Sequence, residues 1–438
     1  MKILLIGQCT LHWGRMEYGN IGNFYIIEPF IRELHKTFVG AEISTTFQMS
    51  DDFCEREGLK CLPMNWYYAW DESDLNTALL EYGAALTYNK TGYLPKSTPF
   101  IEEVLNSDLV IDFSGDIWGD NANFLGKDRF LVGLYKDRVA QLLGKPVAMI
   151  AGSPGPFKNQ ETLAFAKEVF ENFDLVTNRE AVSIDLLTEE GFNVSKVKSL
   201  ACPAFLFEPN SGEEITNLLK EEGLSGREKP IVGFVLCGWN FLTGPFDKWP
   251  RENEEYILFA EVVEYLTEKL NVSVCLMSHS NGFDVPPAPF KLTHGRDYPV
   301  AKQLEEVLIK RGISQDFFVL NNIYDTWTTK AIIGNFDMLV SGRVHAAVAG
   351  LSQCVPTVVI DYGHEPKAHK LLGFAKVAQA EKYVADPAQV GDMIAKVIMC
   401  WKNRETYKQH LEHVMPKVKS TAVKNFLALK EIVDNTKD

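Results

Sequence analysis

No two cysteines in this 438-residue chain are spaced C-x-x-C. That excludes zinc ribbons and thioredoxin-like redox motifs. The eight cysteines stand apart at 9, 54, 61, 202, 237, 275, 354 and 400. Several lie inside apolar runs such as IVGFVLC and VSVCLM, the pattern of buried free thiols in a reducing compartment. No stretch approaches the ~20 apolar residues that a membrane span needs. The opening MKILLIGQCT holds too short an apolar run for a signal-peptide core. A cytoplasmic protein is expected. Positive charge is also scarce, with 44 Lys+Arg against 58 Asp+Glu and a net charge of −14. General nucleic-acid binding requires clustered positive charge that displaces counterions, so no nucleic-acid partner is expected.

What is present is ordinary globular material, 46% apolar and 23% charged. At roughly 150 residues per domain, the length suits two large domains. Short apolar runs fall at 2–6, 42–47, 109–113, 147–151, 175–177 and 197–200, then at 231–237, 272–277, 317–320, 338–340 and 357–360. They are mostly continuous rather than alternating, which predicts strands covered on both faces. Helical patterns lie between them, at 24–38, 127–143, 162–173, 179–190, 254–270 and 343–353. Alternating β and α segments predict parallel, doubly wound sheets. A polar, Gly- and Pro-bearing stretch near 208–229 separates two such series. The expected architecture is therefore two Rossmann-like domains, 1–210 and 211–385, facing a cleft, with a helical tail at 386–438.

The tail from Lys396 onward carries nine Lys/Arg and five Asp/Glu. Tyr407, Leu411, Val414, Val418 and Phe426 recur near helical spacing, and Pro416 predicts a break. A terminal helix packed on the body is expected. At most, its charge would allow peripheral contact with an anionic membrane.

Ligands of doubly wound sheets sit where strands end and helices begin. Gly19, Asn20, Gly22 and Asn23 lie between the first strand and the first long helix. Such a turn can bring backbone N–H groups to an anion, although it is neither G-x-G-x-x-G nor a P-loop. Asp112 lies at the end of the strand LVIDF, and Asp116 and Asp120 follow it. One of them could act as a general base, and a solvated acidic turn would look the same. Arg179 stands at a helix start, where its charge opposes the macrodipole and asks for an anion, with Glu180 beside it. Arg343 and His345, two apart at the helix start after DMLV, pair a two-pronged anion donor with a group that titrates near neutrality. His279 ends the strand VSVCLM, and Lys367 follows TVVI as a further anion contact. Aromatic clusters at 66–70 and 239–241 suit either sugar stacking or core packing.

Taken in order, these segments resemble the polysaccharide pyruvyl transferases. The matching features are the Gly19–Asn23 turn, the Asp112–Asp120 segment, Arg179-Glu180 with Ser183, and Pro203–Phe205. The series closes with Arg343 and His345, and then Pro356, Tyr362 and Lys367. Two positions depart from the family pattern. Ser114-Gly115-Asp116 stands where three glycines are usual, and Cys202 where Asp precedes Pro-Ala-Phe. The resemblance implies a fold like that of the two-domain GT-B glycosyltransferases. It also implies transfer of a pyruvyl group from phosphoenolpyruvate to two hydroxyls of a sugar or lipid-linked glycan, with no cofactor. It assigns donor binding and polarisation to Arg343 and His345, and a second anion contact to Arg179.

The chemistry agrees with the residue types. Phosphoenolpyruvate carries a carboxylate and a phosphate, which Arg343, Arg179 and Lys367 could share. His345 suits proton delivery to the methylene carbon, and Asp112 or Asp116 the base role. Loss of Arg343 or His345 is expected to abolish transfer with the fold intact. Two other readings fit the same motifs: a glycosyltransferase with a nucleotide-sugar donor, and a non-catalytic sugar-binding relative.

Overall fold

A computed structural model describes residues 1–8, 18, 20–115, 117–285, 288–313, 315–363 and 369–435, with His369 by its backbone alone. The chain forms two compact units. The first gathers the described residues of 1–16, 30–202 and 421–438, and the second those of 17–29 and 203–420.

The first unit is built on a seven-stranded parallel sheet. Its strands are β1 (Lys2–Ile6), β2 (Glu42–Thr45), β3 (Leu59–Cys61), β4 (Leu109–Asp112), β5 (Val147–Gly152), β6 (Leu175–Asn178) and β7 (Val197–Ser199). They lie in the order β3-β2-β1-β4-β5-β6-β7, the Rossmann order with one strand added. β1, β4, β5 and β6 are buried nearly throughout, which is why their sequences do not alternate. Trp118 anchors the core, wholly buried, with five Phe rings centred 5.5–6.4 Å from it.

The second unit repeats the plan. Its strands are β8 (Ile231–Val235), β9 (Ser273–Leu276), a β10–β11 hairpin (Asn281–Phe283, Leu292–His294), β12 (Phe317–Val319), β13 (Met338–Ser341), β14 (Thr357–Ile360) and β15 (Val384–Ala385). The main sheet runs β12-β9-β8-β13-β14-β15, all parallel. Strand order therefore reverses twice in the chain, between β1 and β4 and between β8 and β13. Each reversal opens a crevice at the carboxyl ends, where such sheets bind ligands.

All eleven apolar runs form strands, and the doubly wound architecture is as expected. β3, the hairpin and β15 were not anticipated, being too short to carry a pattern. The tail differs from expectation in one respect. The helix Arg404–Asn435 runs unbroken through Pro416. A proline removes one backbone hydrogen bond, and the apolar stripe offsets that loss: Tyr407, Leu411, Val414, Val418 and Phe426 are all buried. Within the second unit, the Tyr407 hydroxyl donates to the Thr357 carbonyl at 3.2 Å. Within the first, buried Asn425 accepts from the Thr177 hydroxyl at 2.6 Å and donates to the Ala201 carbonyl at 2.9 Å. Among the described residues, no helix is long and apolar enough to cross a membrane.

Candidate active site

The β8/β13 crevice holds the Arg343–His345 pair. β13 ends at Ser341, and the helix Val344–Ser352 begins three residues later. Ser341 Oγ receives the Arg343 N–H at 3.2 Å, which fixes the exit from the strand. Gly342 sits where a Cβ would fall 2.0 Å from Oδ1 of Asn240. Buried Asn240 accepts the Cys237 N–H at 2.9 Å and donates to the carbonyls of Gly342 at 3.1 Å and Asp361 at 3.3 Å. One side chain thus joins the loops that follow β8, β13 and β14.

Arg343 points its Nε and Nη2 at Asp297, with distances of 2.6 and 2.5 Å. Asp297 is fully enclosed and Arg343 is 16% exposed. Burial alone would lower the guanidinium pKa, but the Asp297 carboxylate more than offsets this and raises it, so Arg343 stays charged. Asp297 opens the helix Asp297–Lys310 and also accepts the His279 backbone N–H at 3.3 Å. The loop after β9 is therefore tied to the same ion pair.

His279 is wholly buried. Its Nε2 lies 3.4 Å from the Tyr25 hydroxyl, and its Nδ1 has no hydrogen-bond partner among the described residues. Burial, then the charges of Arg343 and His345, push its pKa well below the ordinary imidazole value. It is a neutral imidazole at physiological pH.

His345 is half-buried, its ring edge-on to Phe374 at 5.9 Å. Against it lies the start of the helix Ile21–Thr37. A Cβ on Gly22 would lie 2.3 Å from Nδ1 of His345 and 2.7 Å from its Cγ, so only glycine allows this approach. The Asn20 side chain accepts the Gly22 N–H at 3.0 Å, and its carbonyl accepts the Asn23 N–H at 2.8 Å. Two motifs more than 300 positions apart in sequence meet here, the early Gly-Asn turn and the Arg-x-His helix start.

The β1/β4 crevice of the first unit holds the acidic segment. Asp112 closes β4 and is entirely buried. It accepts the Ser114 N–H at 2.8 Å and the Ser114 hydroxyl at 2.9 Å. The same hydroxyl accepts the Gln8 N–H at 2.9 Å, joining the loops after β1 and β4. Asp112 is also hydrogen-bonded to Asp137, another wholly buried carboxyl, which receives Nε1 of Trp118 at 3.2 Å. Burial raises both acids, and the charge of Asp112 raises Asp137 further, so the pair holds a proton between them.

Both values lie above those of the unfolded chain. The pair therefore stabilises the fold fully below the ordinary carboxylate range, and that contribution is lost as pH rises through the raised values. Asp137→Asn keeps the shape and supplies an amide donor in place of the shared proton. It is expected to flatten the decline in stability between about pH 4 and 7. Urea unfolding across that range checks this, and an unchanged slope contradicts it.

Asp120 braces its loop, with Oδ2 accepting the Lys158 N–H and, at 3.1 Å, the Asn159 N–H. Arg179 is buried and donates from Nε to Ser153 Oγ at 2.8 Å. The helix beyond it starts at Val182, three residues later than expected. Glu180 supplies the reason: its carboxylate accepts the Ser183 N–H at 2.8 Å and the Ser153 hydroxyl at 2.8 Å, serving the helix start itself. Gly19, Asp116 and Lys367 lie outside the described residues. The aromatic clusters divide between the two uses considered. Tyr67 and Tyr68 are core, whereas Trp239 is half-buried and stacks on Phe246 at 4.4 Å and 10°.

Comparison with known proteins matches residues 20–364 to the profile of the polysaccharide pyruvyl transferases. The chain belongs to that family. It is also 24% identical over 428 residues to the amylovoran biosynthesis protein AmsJ of Erwinia amylovora, covering 94% of each chain. This pyruvyl transferase family member is a transferase of polysaccharide biosynthesis. Its fold is shared with Anabaena Alr3699/HepE, solved in complex with UDP and glucose, at a TM-score of 0.59 and 12% identity over 99% of this chain and 100% of that one. A glycosyltransferase from Rickettsia africae gives a TM-score of 0.59 at 10% identity, over 99% and 98%. The UDP-GlcNAc 2-epimerase of Neisseria meningitidis gives 0.53 at 12% identity, over 98% and 100%. These three similarities establish the GT-B-like fold.

The departures from the family pattern have structural counterparts. Ser114 uses its hydroxyl to join two loops, which glycine could not do. Cys202 is a buried residue entering the turn Pro203–Leu206. Sequence reading missed Asp297 and Asp137 in this pyruvyl transferase family member. Asp297 had a signal, a charged pair after glycine (Gly295-Arg296-Asp297) opening a helix. Asp137 had another: it shares a helical face with the buried residues Phe130, Gly133 and Ala140.

Proposed function

We propose that the protein transfers the pyruvyl group of phosphoenolpyruvate to two hydroxyls of one sugar, free or within a lipid-linked glycan, forming a ketal and releasing phosphate. The observation that carries this reading is the contact of the Gly22 backbone with His345, beside Arg343, in the β8/β13 crevice. A half-buried imidazole pinned next to a fixed guanidinium suits a substrate that is both anionic and protonated during reaction.

The chemistry runs as follows. His345 delivers a proton to the methylene carbon of phosphoenolpyruvate, which becomes a methyl group. The neighbouring carbon then accepts the first sugar hydroxyl oxygen, and that hydroxyl's proton leaves. The His345 imidazole takes back the first hydroxyl's proton and is restored, the carbon–oxygen bond to phosphate breaks, the second hydroxyl oxygen attacks, and its proton leaves with phosphate. Arg343 stabilises charge on the donor, and no metal or redox cofactor is called for. His279, being neutral, supports the site without adding a competing cation. Asp112, Asp120 and Arg179 we read as braces of the first unit, because each already serves internal hydrogen bonds.

The test is phosphate release from phosphoenolpyruvate in the presence of candidate acceptor glycans. His345→Ala is expected to abolish release while keeping a wild-type melting temperature. Near-normal turnover in that variant sinks the reading.

A further inference from the structure

Arg343 is the obvious anion contact, yet Asp297 already occupies two of its nitrogens. The pair is formally neutral, so a dianionic phosphate needs another cation. Arg296, adjacent to Asp297 in sequence, is exposed at the head of the helix Asp297–Lys310. Among the described residues it makes no hydrogen bond and no ion pair. Its guanidinium lies over the Phe246 ring, 5.3 Å from the centroid. Phe246 is itself stacked on Trp239, which reaches Tyr362 at 5.7 Å. This aromatic underlay holds a planar cation without neutralising it.

The two guanidinium groups feel each other. Partial enclosure of its guanidinium over the aromatic stack, then the Arg343 charge, lowers the Arg296 pKa, and the Asp297 and Asp247 carboxylates pull the other way. Arg296 directly precedes Asp297, the carboxylate that grips Arg343, so an unpaired cation held over Phe246 stands one residue from the anchor of a fixed one and offers a receptor for an anion. Nη1 of Arg343 also has no partner among the described residues.

We propose that Arg296 is the phosphoryl-binding residue of this site, closing a two-guanidinium grip whose other half is Nη1 of Arg343. The inference rests on reading the β8/β13 crevice as the donor site. Asp297 then acts as a positioning residue that fixes one guanidinium, while Arg296 supplies the net charge.

The experiment titrates full-length wild type, Arg296→Gln and Arg296→Lys with phosphoenolpyruvate and with inorganic phosphate by calorimetry. Arg296→Gln is expected to weaken both roughly tenfold to hundredfold, the worth of a charge-assisted contact. Arg296→Lys should recover part of the loss, as a point charge lacks the fork. Melting temperatures should match wild type, because Arg296 holds nothing in place. Wild-type affinity in Arg296→Gln overturns the assignment while leaving the donor reading standing. Phosphate bound by wild type and lost in Arg296→Gln, with phosphoenolpyruvate ignored by both, keeps the assignment and removes the donor reading. Silence of wild type toward both anions overturns both.

Discussion

Gly22→Ala is expected to cut transfer about a hundredfold or more, with the protein still folded. A change from glycine to alanine in a helix ordinarily stabilises it by up to about 1 kcal/mol. Here the added carbon would lie 2.3 Å from Nδ1 of His345, well inside van der Waals contact. The imidazole must swing away, because the helix backbone is the less yielding partner. Overpacking of this kind costs about 1–3 kcal/mol of stability, and a misplacement of about 1 Å at a reacting group costs about hundredfold in rate. The measurement is turnover with and without His345→Ala. If Gly22 acts through His345, the double variant should be no worse than His345→Ala alone. Additive losses would show that Gly22 matters for some other reason.

Arg343→Ala should do more than remove a substrate contact. It leaves the Asp297 carboxylate fully buried without its cation. Breaking a buried pair on one side costs about 3–5 kcal/mol. The sequence alone suggested that this variant would lose activity with the fold intact. The ion pair predicts a large loss of stability as well. Asp297→Asn in the same chain removes the stranded charge and retains an oxygen for the His279 N–H. The double variant should recover most of the stability and none of the transfer, as read by denaturant midpoints and phosphate release. A single variant as stable as wild type would contradict the energetic account of the pair.

Much of this molecule was legible because its strands are short, apolar and covered on both faces. A run such as LVID or TVVI has few alternatives. The helix Asp74–Thr91 was not anticipated, because its mix of apolar and polar residues gives almost no amphipathic stripe. The site was legible in part. Arg343, His345, Gly22 and His279 do gather in one crevice, since each stands near the carboxyl end of a strand or at a helix start. Asp297 was hidden because its partner is 46 residues away and only the tertiary fold joins them. Asp112 stood out as a free carboxylate because the sequence does not reveal that Asp137 and Ser114 enclose it. Pairing between distant buried polar groups is decided by packing, which no local pattern records.

The most direct test of the central claim is a calorimetric comparison of donors on the wild-type protein, with phosphoenolpyruvate set against UDP- and GDP-sugars. The account predicts saturable binding of phosphoenolpyruvate and none of comparable strength for the nucleotide sugars. Tight binding of a nucleotide sugar, with phosphoenolpyruvate ignored, would contradict it and turn the Arg343–His345 pair into a diphosphate clamp.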